Sequence, residues 1–544
     1  MARPSPDGRR RSQLAGLTPS QQEAVDADDP VLCVLAGAGA GKTRVLTLRV
    51  ARRVDDDSAP ADHVLVATFS RKAGDELRQR LWSVGVRGVQ AGTFHRFALS
   101  MLRLHRADRG AAAPVVLGDR RAALARLLGD EGWPQGTTTP RGGGRGLTAA
   151  QLDTEIGWAK ARLVPPGDYE EEARRFRRRT PAPPEVVARL YQRYEVEHRT
   201  RGLLDLDDLL WSAADLLDAD APFADAVRWR FRHLFVDEMQ DLNAAQFRFL
   251  RLLIGASPDL FVVGDPNQSV YGWNGADPAL LDRLPEIFPT TRVIRLDENH
   301  RCSPQVVRVA SAALGLDPSS APTSARSDGG VPAVVSHDTD TDEATWVAQR
   351  TWRAHRPGRR WSQIAVLART NAQLQLVAEE LARAAIPHRL AGSELGPASD
   401  VRGEGGTDDE TGRTRPELGP EGQALDEGGD GVVLTTFHRA KGLQWTTVFV
   451  IGLSQGLVPL ASSRTAAARD EERRLLYVAL TRAEDELTCS WVRHDPTTGR
   501  PRRPSPWLAD IEAARDALEA QASPPEPSDL SSRLADLRAL LGPR

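Results

Sequence analysis

The sequence predicts an α/β protein in which two units, each built on a buried parallel sheet, share one chain. Three observations carry that prediction. Short apolar runs at 31–35, 64–69, 233–236, 260–263, 364–368, 432–436 and 448–451 suit strands covered on both faces. Amphipathic stretches of helical period lie between them, the alternation that produces a parallel sheet. The 544 residues are too many for one core and set a prior of about three or four domains.

Composition narrows the class. Hydrophobic residues make up 40% and charged residues 27%, and no apolar run approaches a bilayer span. No membrane association is therefore expected. The first eleven residues, Met-Ala-Arg-Pro-Ser-Pro-Asp-Gly-Arg-Arg-Arg, hold no apolar core, so the expected location is cytoplasmic. A net charge of −3 gives no general attraction to nucleic acid, and any such site must be a local groove. Cys33, Cys302 and Cys489 are scattered and odd in number, which indicates neither a disulfide framework nor a zinc site. Of 71 basic residues only Lys42, Lys72, Lys160 and Lys441 are lysines, and three of the four fall inside motifs. A compact ammonium is kept where a planar guanidinium would not fit.

Residues 17–25 open with an N-cap signal, Thr18 then Pro19, ahead of a short helix. Gln21 on that helix carries a carboxamide able to donate to and accept from an adenine edge. The strand 31–35 runs into Ala36, Gly37, Ala38, Gly39, Ala40, Gly41, Lys42, Thr43 and Arg44, and a helical pattern follows to 54. Strand, glycine loop and helix make a phosphate cradle. The glycines let backbone N–H groups converge, Lys42 reaches the β/γ-phosphates, and the Thr43 hydroxyl can ligate Mg²⁺.

The strand 64–69 ends at Phe69, on the lip where α/β sheets bind ligands, and Gly-Thr-Phe-His-Arg-Phe at 92–97 forms a further lip. Residues 104–203 change character. They are rich in Arg and Ala, show helical patterning at 119–128, 152–163 and 185–198, and are interrupted by a glycine-rich stretch at 136–146, so a helical insertion is expected. The basic run 174–179 suits either a phosphate backbone or a solvated face.

The strand 233–236 delivers Asp237 and Glu238, suited to holding Mg²⁺ and polarising an attacking water. After the strand 260–263, Gln268 is placed to sense a γ-phosphate, while Tyr271 and Trp273 are aromatics in a polar loop, suited to stacking on a base. A second α/β unit is expected to begin at 292–296 and to close at 487–491. Residues 392–431, rich in Gly, Glu, Asp and Pro, cannot bury a core and are expected to be a disordered loop. A linker and short helix are expected after Ala522.

The ordered motifs Leu-Thr-Pro-Ser-Gln-Gln-Glu-Ala, Ala-Gly-Ala-Gly-Ala-Gly-Lys-Thr, Thr-Phe-Ser-Arg-Lys-Ala, Gly-Thr-Phe-His, Leu-Asp-Leu-Asp-Asp-Leu-Leu, Asp-Glu-Met-Gln-Asp, Gly-Asp-Pro-Asn-Gln-Ser-Val-Tyr, Asn-His-Arg, Leu-Ala-Arg-Thr-Asn-Ala-Gln, Thr-Phe-His-Arg-Ala-Lys-Gly-Leu and Tyr-Val-Ala-Leu-Thr-Arg-Ala span 17 to about 490. This set resembles the UvrD/Rep/PcrA family of superfamily 1 DNA helicases. The resemblance implies two RecA-like P-loop NTPase domains with ATP between them. The expected boundaries are 1–103 and 204–291 for the first (1A), 104–203 for the helical insertion (1B), 292–391 and 432–512 for the second (2A), and 513–544 for a tail.

By motif match, Gln21 would read adenine, Lys42 and Thr43 would bind phosphate and Mg²⁺, and Asp237 and Glu238 would act as metal partner and base. Gln268 would couple ATP to DNA, and Arg301 and Arg482 would be arginine fingers. Phe69, Thr93, His95, Tyr271, Trp273, Asn371 and His438 match positions that contact single-stranded DNA. The resemblance implies a 3′ to 5′ DNA helicase acting at junctions of single and double strand, as a monomer, in repair or recombination. Three departures stand out. His300 occupies a position where the family commonly has a Tyr on adenine, and Gln444 replaces a Glu expected near the nucleotide. Only 392–431 stands where relatives insert a folded 2B domain, so 2B is expected to be missing and a protein partner could take its place.

Overall fold

The computed structural model describes residues 16–133, 147–356, 358–390, 429–495 and 498–522. The expectations for 136–146 and for the body of 392–431 lie outside the described residues. The chain forms two compact units that divide between Leu296 and Asp297.

The first unit contains β1 (Val31–Ala36), β2 (Val64–Thr68) and β3 (Gln90–Thr93), then a short pair in the insertion, β4 (Val115–Val116) and β5 (Leu203–Leu204). It continues with β6 (His233–Val236), β7 (Leu260–Gly264) and β8 (Thr291–Leu296). Six strands form one sheet in the order β3-β2-β6-β7-β1-β8, all parallel. Alternation along each strand divides the apolar residues between two faces. Val31, Cys33, Leu65 and Ala67 pack under the helices Phe94–Asp108, Leu206–Ala219 and Ala244–Ile254. Leu32, Val34, Val64 and Val66 pack under Pro19–Asp26, Lys42–Asp55 and Arg71–Ser83.

The strand at 292–296, expected to open the second unit, belongs instead to the first sheet: Ile294 pairs with Val34 and Leu296 with Ala36. As an edge strand it buries only alternate residues, Ile294 and Leu296, in the first core. The boundary of the first unit is therefore Leu296, not 291.

The insertion has a core of its own. Leu124, Leu152, Ile156, Tyr169, Tyr191 and Tyr194 pack together from the helices Arg121–Asp130, Ala149–Ala161, Tyr169–Arg175 and Pro184–Thr200. Lys160 is caged at its edge. Its Nζ lies 2.8 Å from Asp205, 2.6 Å from Asp208 and 2.7 Å from Glu195. Burial alone would push the ammonium toward neutrality, but Asp205, Asp208 and Glu195 outweigh it and hold its pKa well above the usual value. Those carboxylates are close enough to share a metal ion, and Lys160 supplies the cation. Of the basic run, Arg174 pairs with Glu170, Arg175 with Glu172 and Arg178 with Glu155, so three of its five arginines face carboxylates.

In the second unit β9 (Glu298–Asn299) and β10 (Thr323–Ser324) form a short pair. The main strands are β11 (Ala333–His337), β12 (Ile364–Ala368), β13 (His388–Leu390), β14 (Val432–Thr436), β15 (Trp445–Val450) and β16 (Ala483–Val492). They lie parallel in the order β11-β16-β15-β12-β14-β13. Glu343 is buried here, its Oε1 accepting from Gly452 N at 3.0 Å and Ser490 Oγ at 2.6 Å. Burial pushes its carboxyl up to about 7.

The helix Leu508–Ala522 crosses the expected domain end at 512, because Leu508 and Ile511 are buried and Arg473 pairs with Asp510. The expected tail therefore starts only after this helix, and the linker and short helix expected there lie outside the described residues. All three cysteines are buried and free. Among the described residues no helix is long and apolar enough to cross a membrane.

Candidate nucleotide and nucleic-acid site

The candidate residues of the first unit gather at one edge of its sheet. The phosphate loop follows β1, Phe69 follows β2, His95 follows β3, Asp237 follows β6 and Gln268 follows β7. These are carboxyl ends of parallel strands, where open α/β sheets bind ligands.

In the phosphate loop Gly39 and Gly41 take left-handed conformations, φ 72° and 80°, which a side chain would strain. Gly41 caps the helix Lys42–Asp55, leaving the helix N-terminus facing the loop. Lys42 Nζ donates to the carbonyls of Ala36 at 3.0 Å and Gly37 at 3.3 Å, so the ammonium is held over the loop. The Gln21 carboxamide, expected to face adenine, is buried. Its Oε1 accepts from Thr18 N at 3.2 Å as part of a capping box, and its Nε2 donates to Ala40 O at 3.0 Å. Gln21 thus ties the first helix to the loop. Arg49, also buried, reinforces this link by donating to the carbonyls of Ala24 and Ala27 at the end of that helix.

Asp237 is 4% exposed, and burial together with the neighbouring Glu238 pushes its carboxyl up to about 7. Glu238 adopts a left-handed backbone, φ 53° and ψ 43°, unusual for a residue with a Cβ. Gln240 was not among the residues singled out from sequence. It is fully buried, donates Nε2–H to Glu238 Oε2 at 2.5 Å, and accepts from Asp265 N through Oε1 at 3.0 Å. Gln268 Nε2 then donates to Asp265 Oδ2 at 2.6 Å, and Ser269 Oγ to Gln240 O at 3.1 Å. A Cβ on Gly264 would sit 2.6 Å from Gln240 Oε1, so glycine is what lets β7 end against this network. The string Glu238–Gln240–Asp265–Gln268 joins the ends of β6 and β7.

Beyond Gln268 the chain enters the aromatic loop. Phe69 stacks on Tyr271 with ring centres 4.9 Å apart and planes 17° apart, and Trp273 meets Tyr271 edge-on at 6.2 Å. Trp273 is 61% exposed. The structure therefore brings Phe69 to the two aromatics of a loop some two hundred residues later in the sequence. Thr93 is buried, and its hydroxyl caps the helix Phe94–Asp108 by accepting from Arg96 N. His95 lies half-buried on the first turn of that helix.

In the second unit Asn299 Oδ1 accepts from the backbone N–H of Arg301 and Cys302, both at 2.8 Å, fixing the turn that presents Arg301. Arg301 Nε donates to Gln444 Oε1 at 2.8 Å, so the Gln444 departure places a neutral acceptor beside this guanidinium. Arg301 also reaches Thr481 O, and Arg482 donates to Thr481 Oγ1, which brings the two arginines to one residue. The Arg482 side chain is 1% exposed and donates to the carbonyls of Val478 and Leu443. Asn371 and His438 follow the adjacent strands β12 and β14. Burial, with Arg369 and Lys441 nearby, lowers the His438 pKa to about 4, so it is a neutral hydrogen-bonding group near pH 7. His300 is exposed.

Comparison with known proteins identifies the family. The UvrD/REP helicase N-terminal domain model matches residues 17–289, and the UvrD-like helicase C-terminal domain model matches 294–395 and 419–494. The chain belongs to the UvrD-like helicase family. ATP-dependent DNA helicase UvrD2 of Mycobacterium tuberculosis is 33% identical over 92% of this chain and 82% of the relative. ATP-dependent DNA helicase PcrA of Bacillus subtilis is 29% identical over 70% of this chain, which spans about half (51%) of that relative.

The donors in the first unit suit Mg²⁺–ATP. Asp237 and Thr43 offer hard oxygen atoms, and a buried carboxyl raised to about 7 is one that a divalent cation would stabilise as the anion.

Proposed function

We propose that this protein is an ATP-dependent DNA helicase that translocates 3′ to 5′ on single-stranded DNA and opens duplex at junctions. The observation that carries the reading is the hydrogen-bonded string from Glu238 through Gln240 and Asp265 to Gln268, which ends three residues before Tyr271. It couples the carboxylate suited to activating water to the loop suited to stacking on bases. In this mechanism the loop N–H groups and Lys42 bind the β/γ-phosphates, Thr43 and Asp237 hold Mg²⁺, and Glu238 orients and deprotonates the attacking water. Mg²⁺ held there would supply positive charge against the charge developing on the phosphates. Arg301 and Arg482 serve as arginine fingers, with Gln444 orienting Arg301. Arg482 must first exchange its carbonyl partners for phosphate, so hydrolysis requires a rearrangement, the kind of step that can advance a strand. Phe69, Tyr271 and Trp273 stack on bases at about 1–3 kcal/mol each, which tolerates sequence. Thr93, His95, Asn371 and His438 complete the strand contacts. Work as a cytoplasmic monomer in repair or recombination fits this activity.

A second reading is a translocase that needs a partner to separate duplex. It is motivated by β13 and β14, adjacent parallel strands with only residues 391–431 between them, the place where the family resemblance leads one to expect 2B. Strand separation by purified protein with ATP, on duplexes bearing a 3′ or a 5′ tail, decides between the two. Opening of the 3′-tailed duplex alone supports the helicase. DNA-stimulated ATPase without opening of either supports the translocase, and absence of DNA-stimulated turnover defeats both.

A further inference from the structure

The helical insertion ends against the aromatic loop. The helix Ala149–Ala161 stops one residue before Arg162, whose guanidinium lies over the Trp158 ring at 4.9 Å. From there Arg162 Nη2 donates to Gly272 O at 2.7 Å, between Tyr271 and Trp273. Its Nη1 donates back to Trp158 O at 3.3 Å, so both arms are engaged. The platform is itself anchored. Trp158 is 5% exposed, a second guanidinium, Arg178, lies over it at 4.7 Å, and Arg178 is held by Glu155. Lys160, two residues before Arg162, is locked in its carboxylate cage, and its carbonyl accepts from Trp211 Nε1 at 2.9 Å. The approach is close: a Cβ on Gly275 would sit 3.2 Å from Ala161 Cβ.

We propose that Arg162 is a positioning residue for base stacking, through which the helical insertion sets the pose of Tyr271 and Trp273 without touching the strand. The proposal rests on the reading of those aromatics as the DNA platform. Besides its own turn hydrogen bonds and the Phe69 stack, the loop takes this tie from the insertion. Residues Gly272–Asn274 form one short 3₁₀ turn, a weakly determined element, and Gly272 offers no side chain, so its carbonyl is the handle. A guanidinium does what an ammonium cannot: it lies over the Trp158 ring and still offers separate N–H donors to Gly272 and Trp158. That accounts for an arginine beside the caged lysine.

The test is ATPase activity against the concentration of a thymidine oligonucleotide, for wild type, Arg162→Ala, Arg162→Lys, Trp273→Ala and the Arg162→Ala/Trp273→Ala double variant. If Arg162 orders one stacking platform, Arg162→Ala raises the half-saturating DNA concentration roughly tenfold, with the rate at saturating DNA within about twofold of wild type. Arg162→Lys does not rescue it. In the double variant the two effects combine less than additively, because both act through the same loop. Additive effects, rescue by Lys, or an unchanged half-saturation overturn the proposal; the first two together mark a direct phosphate contact. Should the alanine variant fail to melt cooperatively, Arg162→Met, which keeps an unbranched apolar stem at this position and removes the guanidinium with its donors, carries the same expectations. A wild type that DNA does not stimulate defeats the underlying reading instead.

Discussion

Replacing Gln240 by leucine tests the link between hydrolysis and the aromatic loop most directly. Gln240 is fully buried and does two jobs with one carboxamide: it donates to Glu238 at 2.5 Å and accepts from Asp265 N at 3.0 Å. Leucine approximates its volume and can do neither. The bond to an ionised acceptor contributes about 1.5–3 kcal/mol, and the stranded Asp265 N–H costs about 1–3 kcal/mol. The two losses overlap through relaxation, so a net destabilisation of about 2–4 kcal/mol is expected. Glu238 also loses the group that aims it, and misplacing a catalytic group by about 1 Å costs on the order of 10²-fold in rate. The assay is steady-state ATP turnover at saturating ATP and single-stranded DNA, beside a denaturant melt. A fall of about 10- to 100-fold in kcat is expected at temperatures where the variant is fully folded. A kcat within about twofold of wild type, with the melt lowered, would show that Gln240 only supports the fold and would refute the coupling argument.

Three further outcomes are expected. Lys42→Ala abolishes turnover, because the γ-phosphate loses its ammonium; normal turnover would overturn the phosphate-site assignment. Glu343→Gln flattens the pH dependence of the second unit's stability. Its folded pKa of about 7 exceeds its usual 4.5, so its contribution is full below pH 4.5 and is lost as pH rises toward 7. The amide keeps the acceptor for Gly452 and Ser490 and should melt higher than wild type at pH 8, by at most about 3 kcal/mol in stability. Lys160→Met leaves Asp208 and Glu195 without this cation and Asp205 with Arg120 in its place, and costs about 3–5 kcal/mol in a denaturant melt. Burial and Asp205 already push the Asp208 carboxyl up to about 7 against the pull of Lys160, so without Lys160 it takes up its proton at a higher pH and part of the loss returns there. A cost below about 1 kcal/mol would show that the cage is incidental.

The legible parts of the site were those in which one short stretch carries both an element and its chemistry. The phosphate loop, Asp237 with Glu238, and Gln268 each follow an apolar run, so strand and function are read together. What stayed hidden depends on neighbours distant in sequence. Gln240 looks like a spacer in Asp-Glu-Met-Gln-Asp until β7 is laid beside β6 and Asp265 arrives. Arg162 carries no signal in a chain of 67 arginines, and its meaning comes from Gly272, far along the sequence. Lys160 stood out as a rare lysine, but the cage that explains it draws on two helices and a cap. The strand at 291–296 was misplaced because sequence shows where a strand lies, not which sheet it joins. Motif order predicted fingers at Arg301 and Arg482 but not that the second would be buried on backbone carbonyls.

The left-handed backbone of Glu238 has a consequence for anyone who engineers this protein. Holding a residue with a Cβ at φ 53° costs about 1 kcal/mol relative to glycine, so the chain folds against a local preference at the position we propose as its base. A library selected for heat resistance alone would be rewarded for glycine or asparagine there, and would return robust protein with no turnover. Melting temperature is then a misleading guide to improvement here, and any thermostabilisation campaign has to hold position 238 constant or select on catalysis in the same round.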